Sequence, residues 1–126
     1  MHFTEDLPSG NYIINEYTAK TVTINKQCYR KSLYISANTL IEDISLVSSA
    51  ELSQENVQFI VDLKPELLIL GSGETLDFPP AEVIALFASQ QIGFEVMDHA
   101  AACRTFAILS AEQRKVGALF LIKPEP

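Results

Sequence analysis

The chain has 126 residues and a mass of 14.0 kDa, with 48% hydrophobic and 20% charged residues, the make-up of one ordinary globular domain and cramped for two. Scaling of surface with mass gives about 6,700 Å² folded against about 20,000 Å² unfolded, so roughly two-thirds of that surface can be buried without metal or disulfide staples. Nine Lys and Arg against sixteen Asp and Glu leave a net charge of −7 and a pI near 4.7, a field that repels nucleic-acid phosphates and anionic lipid.

From the N-terminus, residues 12–17, 21–24 and 28–35 are short runs rich in β-branched and aromatic side chains, with Asn25-Lys26-Gln27 as a turn. They predict a small antiparallel β unit. Ser53 suits a helix N-cap, and Val57, Ile60 and Val61 share a helical face before Lys64-Pro65, so a helix is expected over about 53–63. Leu67-Leu68-Ile69-Leu70 is apolar at every position, the mark of a central strand covered on both faces. Pro79-Pro80 precede a helix carrying Val83, Ile84 and Phe87 on one side, with Gly93 at the expected C-cap. A strand at 94–97, a helix from about Ala100 burying Cys103, Phe106, Ile108 and Leu109, and a last strand at 117–122 follow. The order β-β-β-α-β-α-β-α-β argues for an α/β sheet with right-handed crossovers, the N-terminal hairpins forming an extra β layer.

No apolar run approaches the roughly 18 residues of a spanning helix, since the run at 118–122 is strand-length. The first residues lack a basic leader and apolar h-region, so a cytoplasmic location is expected. Cys28 and Cys103 are 75 positions apart, which builds neither a CxxC centre nor a thiolate zinc site; both are expected to be buried, reduced thiols. No metal and no cofactor is implied. Tyr12, Tyr17 and Phe3 are read as exposed aromatics that could line a dimer contact.

In open α/β sheets ligands gather beyond the carboxyl ends of strands. Two such ends carry polar or glycine-rich loops: Gly71-Ser72-Gly73-Glu74, and Asp98-His99 through Arg104. If their strands are neighbours, Gly71, Ser72, Gly73, Asp98, His99 and Arg104 form a candidate ligand site, suited by glycine backbone and helix N-terminus to a small anion. Each residue also has a structural reading. The glycines make a tight turn, Asp98 caps a helix, and His99 lies in solvent at its first turn. Arg104 pairs with a carboxylate such as Glu74, Asp77 or Asp98, and Cys103 is a packed core thiol. Asp98 and His99 are adjacent, so their side chains diverge, and no Ser-His-Asp relay with Ser72 is expected. No catalytic residue is assigned.

The strings LLILGSGE (67–74), FPP (78–80), IGFEVMDHAAACRTF (92–106) and EQRKVGALFLI (112–122), with Gly10-Asn11-Tyr12 and Leu33-Tyr34-Ile35, resemble the Mth938-like family, a domain of unknown function that includes the mitochondrial complex I assembly factor 3. The resemblance covers nearly the whole chain, 1–126 as a single domain. It implies a three-layer α/β fold with a central mixed sheet, and it brings no catalytic residue. Gly71, Gly73, Ala101, Ala102, Arg104 and Thr105 match the family; His99 stands where relatives often have Thr, and Phe106-Ala107 where they often have Tyr-Asn. The functional expectation is a non-enzymatic binding or assembly protein with a protein partner, related to respiratory complex I assembly. The alternative is a small-molecule protein or enzyme using the two loops as a cleft.

Overall fold

A computed structural model describes residues 2–4, 11–112 and 114–125. Its centre is a six-stranded mixed sheet in the order β1-β6-β5-β9-β7-β8, with a three-stranded antiparallel sheet β2-β3-β4 beside it. The large sheet comprises β1 (His2–Thr4), β5 (Leu33–Ser36), β6 (Leu40–Glu42), β7 (Leu67–Gly71), β8 (Gly93–Met97) and β9 (Val116–Phe120). The small one comprises β2 (Ile14–Thr18), β3 (Thr21–Ile24) and β4 (Gln27–Tyr29), and the helices are α1 (Gln58–Leu63), α2 (Ala81–Ser89) and α3 (His99–Ala111). The mixed sheet, its helices and the separate hairpin layer are those expected.

β7 pairs in parallel with β8 on one side and β9 on the other. Leu68 and Leu70 enter a core with Val83 and Phe87 of α2 and Ile60 of α1, while Ile69 enters the opposite core with Ala102, Cys103 and Phe106 of α3. α2 and α3 therefore cover opposite faces, and because the chain also moves to opposite sides of β7 the two crossovers share one hand. Val22 and Ile24 of β3 join α3 on its face, completing three layers. Full burial of each such side chain contributes about 1.5–3 kcal/mol.

The region read as one strand at 28–35 is two strands in different sheets. The break falls at Ser32, whose buried hydroxyl accepts from Ile122 N at 2.8 Å and pins the crossing between layers. β1 and β6, three residues each, were not expected because they are too short to carry a period. The helix placed at 53–63 is regular only from Gln58. Before it, Ser53 and Asn56 close on each other, Asn56 N donating to Ser53 Oγ at 3.1 Å and Ser53 N to Asn56 Oδ1 at 2.8 Å. Gly93 is not a C-cap: it opens β8, and Gln91 with φ 60° takes the left-handed position after α2. The Asn25-Lys26 turn is as read, with φ of 48° and 72°, the pair of positive angles that suits a two-residue hairpin.

Candidate functional site

Parallel pairing sets Gly71 opposite Met97, so the two loops leave the sheet at one rim. They are joined directly, Ser72 N donating to Met97 O at 2.8 Å and His99 N to Gly73 O at 2.7 Å. The neighbouring strands expected from the sequence are present. What the residues do at that rim differs.

Gly71 is the last residue of β7, and a Cβ there would lie 2.9 Å from Phe120 Cδ1 and 3.2 Å from Ala102 Cβ. Its lack of a side chain lets β7, β9 and α3 approach. Gly73 has φ +101°, a conformation that other residues adopt only under strain. The Ser72 hydroxyl donates to Thr75 O at 2.7 Å and accepts from Asp77 N at 3.0 Å, which folds the loop back on itself. Asp98 caps α3, accepting from Ala101 N at 2.9 Å.

His99 does not lie in solvent; it is 2% exposed. Its Nε2 stands 2.8 Å from Thr21 O, and since a carbonyl only accepts, Nε2 carries the proton. The ring meets Tyr17 and Phe120 edge-on at centroid distances of 6.4 and 5.5 Å, and Nδ1 is buried without a hydrogen-bond partner among the described residues. One turn on, Cys103 is buried as expected, and burial pushes its thiol up to about 12. Among the described residues Arg104 does not pair with a carboxylate. It is exposed and donates to Tyr17 Oη at 3.0 Å, while Glu74 faces Lys20 at 3.9 Å. Of the family departures, Phe106 is buried in the core and Ala107 is exposed.

A cleft of about 280 Å³ adjoins the loop, bordered by Ser72, Gly73, Glu74, Lys20, Ser48 and Lys123 among others. Gly71, Asp98, His99 and Arg104 do not line it: Gly71 is inside the sheet, His99 is turned into the core, and Asp98 and Arg104 act on α3 and β2. Lys20, Ser48 and Lys123 were not foreseen, because they come from three segments remote in sequence. Lys20 also lies 4.0 Å from Glu125.

On the same loop Leu76 and Phe78 are 57% and 61% exposed. Tyr12, read as a surface aromatic, is buried at 6%, because it sits under α3 in the core. Tyr17 is half-buried, and the side chain of Phe3 lies outside the described residues. Cys28, read as buried, is exposed on β4 at the edge of the small sheet. Among the described residues no group of three or more His, Cys, Asp or Glu could hold a metal ion, and no helix is long and apolar enough to cross a membrane.

Residues 14–121 match the family described as protein of unknown function (DUF498/DUF598). The chain belongs to that family. Among solved structures, the family fold recurs in a Xanthomonas campestris protein with TM-score 0.83 and 27% identity, over 97% of this chain and 92% of that one. It recurs also in an Mth938-like domain from Bordetella pertussis, TM-score 0.76 and 18% identity, over 99% and 94% of the two chains. Among curated proteins, the "13 kDa major membrane protein" of Francisella tularensis is 24% identical over 96% of this chain and 99% of its own length. The zebrafish (Danio rerio) "NADH dehydrogenase [ubiquinone] 1 alpha subcomplex assembly factor 3" is 34% identical over 79 residues, 61% of this chain and 45% of that factor. The chain thus spans under half of the zebrafish factor.

Proposed function

We propose that this protein is a partner-binding domain with an assembly role, and that its docking surface is the loop between β7 and α2. The observation that carries the reading is the pair Leu76 and Phe78, two large apolar side chains more than half exposed on one loop. Exposed Glu74, Asp77 and Glu82 surround them in sequence. A surface of this kind suits an apolar anchor flanked by Lys or Arg on the partner. The zebrafish relative's name, an assembly factor of an NADH dehydrogenase (ubiquinone) subcomplex, supports a related task here. The working place is the cytoplasm, with any membrane contact made through the partner, since the net charge of −7 opposes binding to anionic lipid.

Affinity capture from native lysate tests this with three baits: the wild type, the double variant Leu76→Ser/Phe78→Ser, and Ile108→Ser, which alters an apolar residue equally exposed on α3 at 61%. The expected result is a protein retained by the wild type and by Ile108→Ser and lost from the double variant. Equal recovery by all three would overturn the reading.

A second reading has its own observation, the cleft with Lys20 and Lys123 on its border beside Glu74 and Asp77, where a small anion would take the place of the Glu74 carboxylate at Lys20. It predicts that millimolar phosphate or citrate raises Tm and that Lys20→Ala/Lys123→Ala removes the rise, while Arg104→Ala, off the cleft, does not. No rise with either anion rejects it.

A further inference from the structure

β8 ends the large sheet, paired with β7 and with no strand beyond it among the described residues. Its inward groups are identified by two bonds, Gly93 N to Glu66 O at 2.9 Å and Ser72 N to Met97 O at 2.8 Å. Because consecutive residues of a parallel strand point their main-chain groups to opposite sides, Gly93, Glu95 and Met97 bond to β7, and Phe94 and Val96 turn their N–H and C=O groups outward. Exposed edges are usually blunted by proline, charged side chains (lysine above all), a bulge, extreme shortness or a covering element, and here Glu95 is the one charge on the strand. This edge is five residues long, GFEVM, in unbroken register with β7 and with neither proline nor lysine.

Its two faces differ. Phe94 and Val96, both half-buried, lie on the α2 face, where Phe94 stacks on the buried Phe87 at a centroid distance of 5.1 Å. Glu95 lies on the α3 face opposite Ile69 and is exposed. An added strand would continue both faces, with apolar side chains beside Phe94 and Val96 and a charged one beside Glu95.

We propose that the β8 edge receives an extended segment of a partner protein by strand addition, and that this segment alternates apolar, basic, apolar. It rests on the partner-binding reading and deepens it with a second surface, formed by backbone rather than by the loop. A second copy of this chain fits less well: two-fold antiparallel pairing centred on Glu95 sets two Glu95 carboxylates side by side, and like charges directly opposite are destabilising.

The test is an amide NMR titration of the whole protein with two peptides, acetyl-Thr-Val-Lys-Val-Thr-amide and the same peptide with Glu in place of Lys. The lysine peptide is expected to shift β8 amides and slow exchange at Phe94 and Val96, binding at least tenfold tighter than the glutamate peptide. Glu95→Lys, at an exposed site, reverses that preference. Val96→Pro, which deletes an outward N–H and leaves the bonds to β7, weakens binding at least tenfold while circular dichroism remains native. Equal response to the two peptides, shifts centred away from β8, or no reversal in Glu95→Lys would overturn the proposal. So would a wild-type dimer in light scattering that Val96→Pro dissolves, because the occupant would then be a second copy. None of these readouts depends on the Leu76–Phe78 loop, so the two surfaces fail separately.

Discussion

His99 Nε2 donates to the Thr21 carbonyl at 2.8 Å across 78 residues of sequence, tying the first turn of α3 to the hairpin of the small sheet. The ring is sealed from water by Tyr17 and Phe120. Removing it opens a cavity and strips a partner from the Thr21 carbonyl, costs that combine. His99→Ala is expected to lose about 2–4 kcal/mol in denaturant unfolding, with unchanged slope. A loss under about 0.5 kcal/mol would show that the bond is not formed in solution.

The two thiols are expected to behave oppositely. Cys28 is exposed and Cys103 buried, so iodoacetamide at pH 8 should label Cys28 within minutes and Cys103 only after unfolding. The pH dependence of stability follows the same burial. Cys103 is raised from an ordinary 9.0 to about 12, so above pH 9 the unfolded chain releases its proton while the folded one keeps it. The unfolded state then binds fewer protons, and stability falls as pH rises from about 9 towards 12, by up to about 1.4 kcal/mol per unit. Cys103→Ala should flatten that part of the curve relative to wild type. Superimposable slopes would contradict the burial.

Gly117 is predicted to tolerate no side chain. A Cβ at that position would overlap Tyr34 Oη and stand 2.6 Å from Tyr34 Cζ, so the ring of Tyr34, 1% exposed, would have to shift out of its packed position. Gly117→Ala should cost about 1–3 kcal/mol in thermal unfolding. Adding Tyr34→Phe should not restore it, since the ring carbon itself is in the way. Full recovery in the double variant would place the conflict at the hydroxyl alone.

How far the fold could be read ahead follows from what each element depends on. β7 was legible because Leu67-Leu68-Ile69-Leu70 needs two covered faces, and α3 because Asp98 caps it and Cys103 and Phe106 are buried, although Ile108, expected on the same buried side, is 61% exposed. β4 and β5 merged into one because the signal that separates them, the Ser32 hydroxyl meeting Ile122, spans 90 residues. Gly93 was misplaced because a glycine after a helix satisfies the same local pattern whether it caps that helix or opens the next strand. At the rim, adjacency of the two loops followed from parallel pairing. The inward turn of His99 did not, since its partner lies 78 residues away in the hairpin, and neither did Lys20, Ser48 and Lys123 on the cleft.

The central claim is that Leu76 and Phe78 contact a protein. A photo-crosslinking residue, benzoylphenylalanine, in place of Phe78 and, separately, in place of Ile108 tests it in living cells. The account predicts a discrete crosslinked adduct from position 78 and none from position 108, both being 61% exposed. Identical adduct patterns from the two positions, or no adduct at 78, would contradict it.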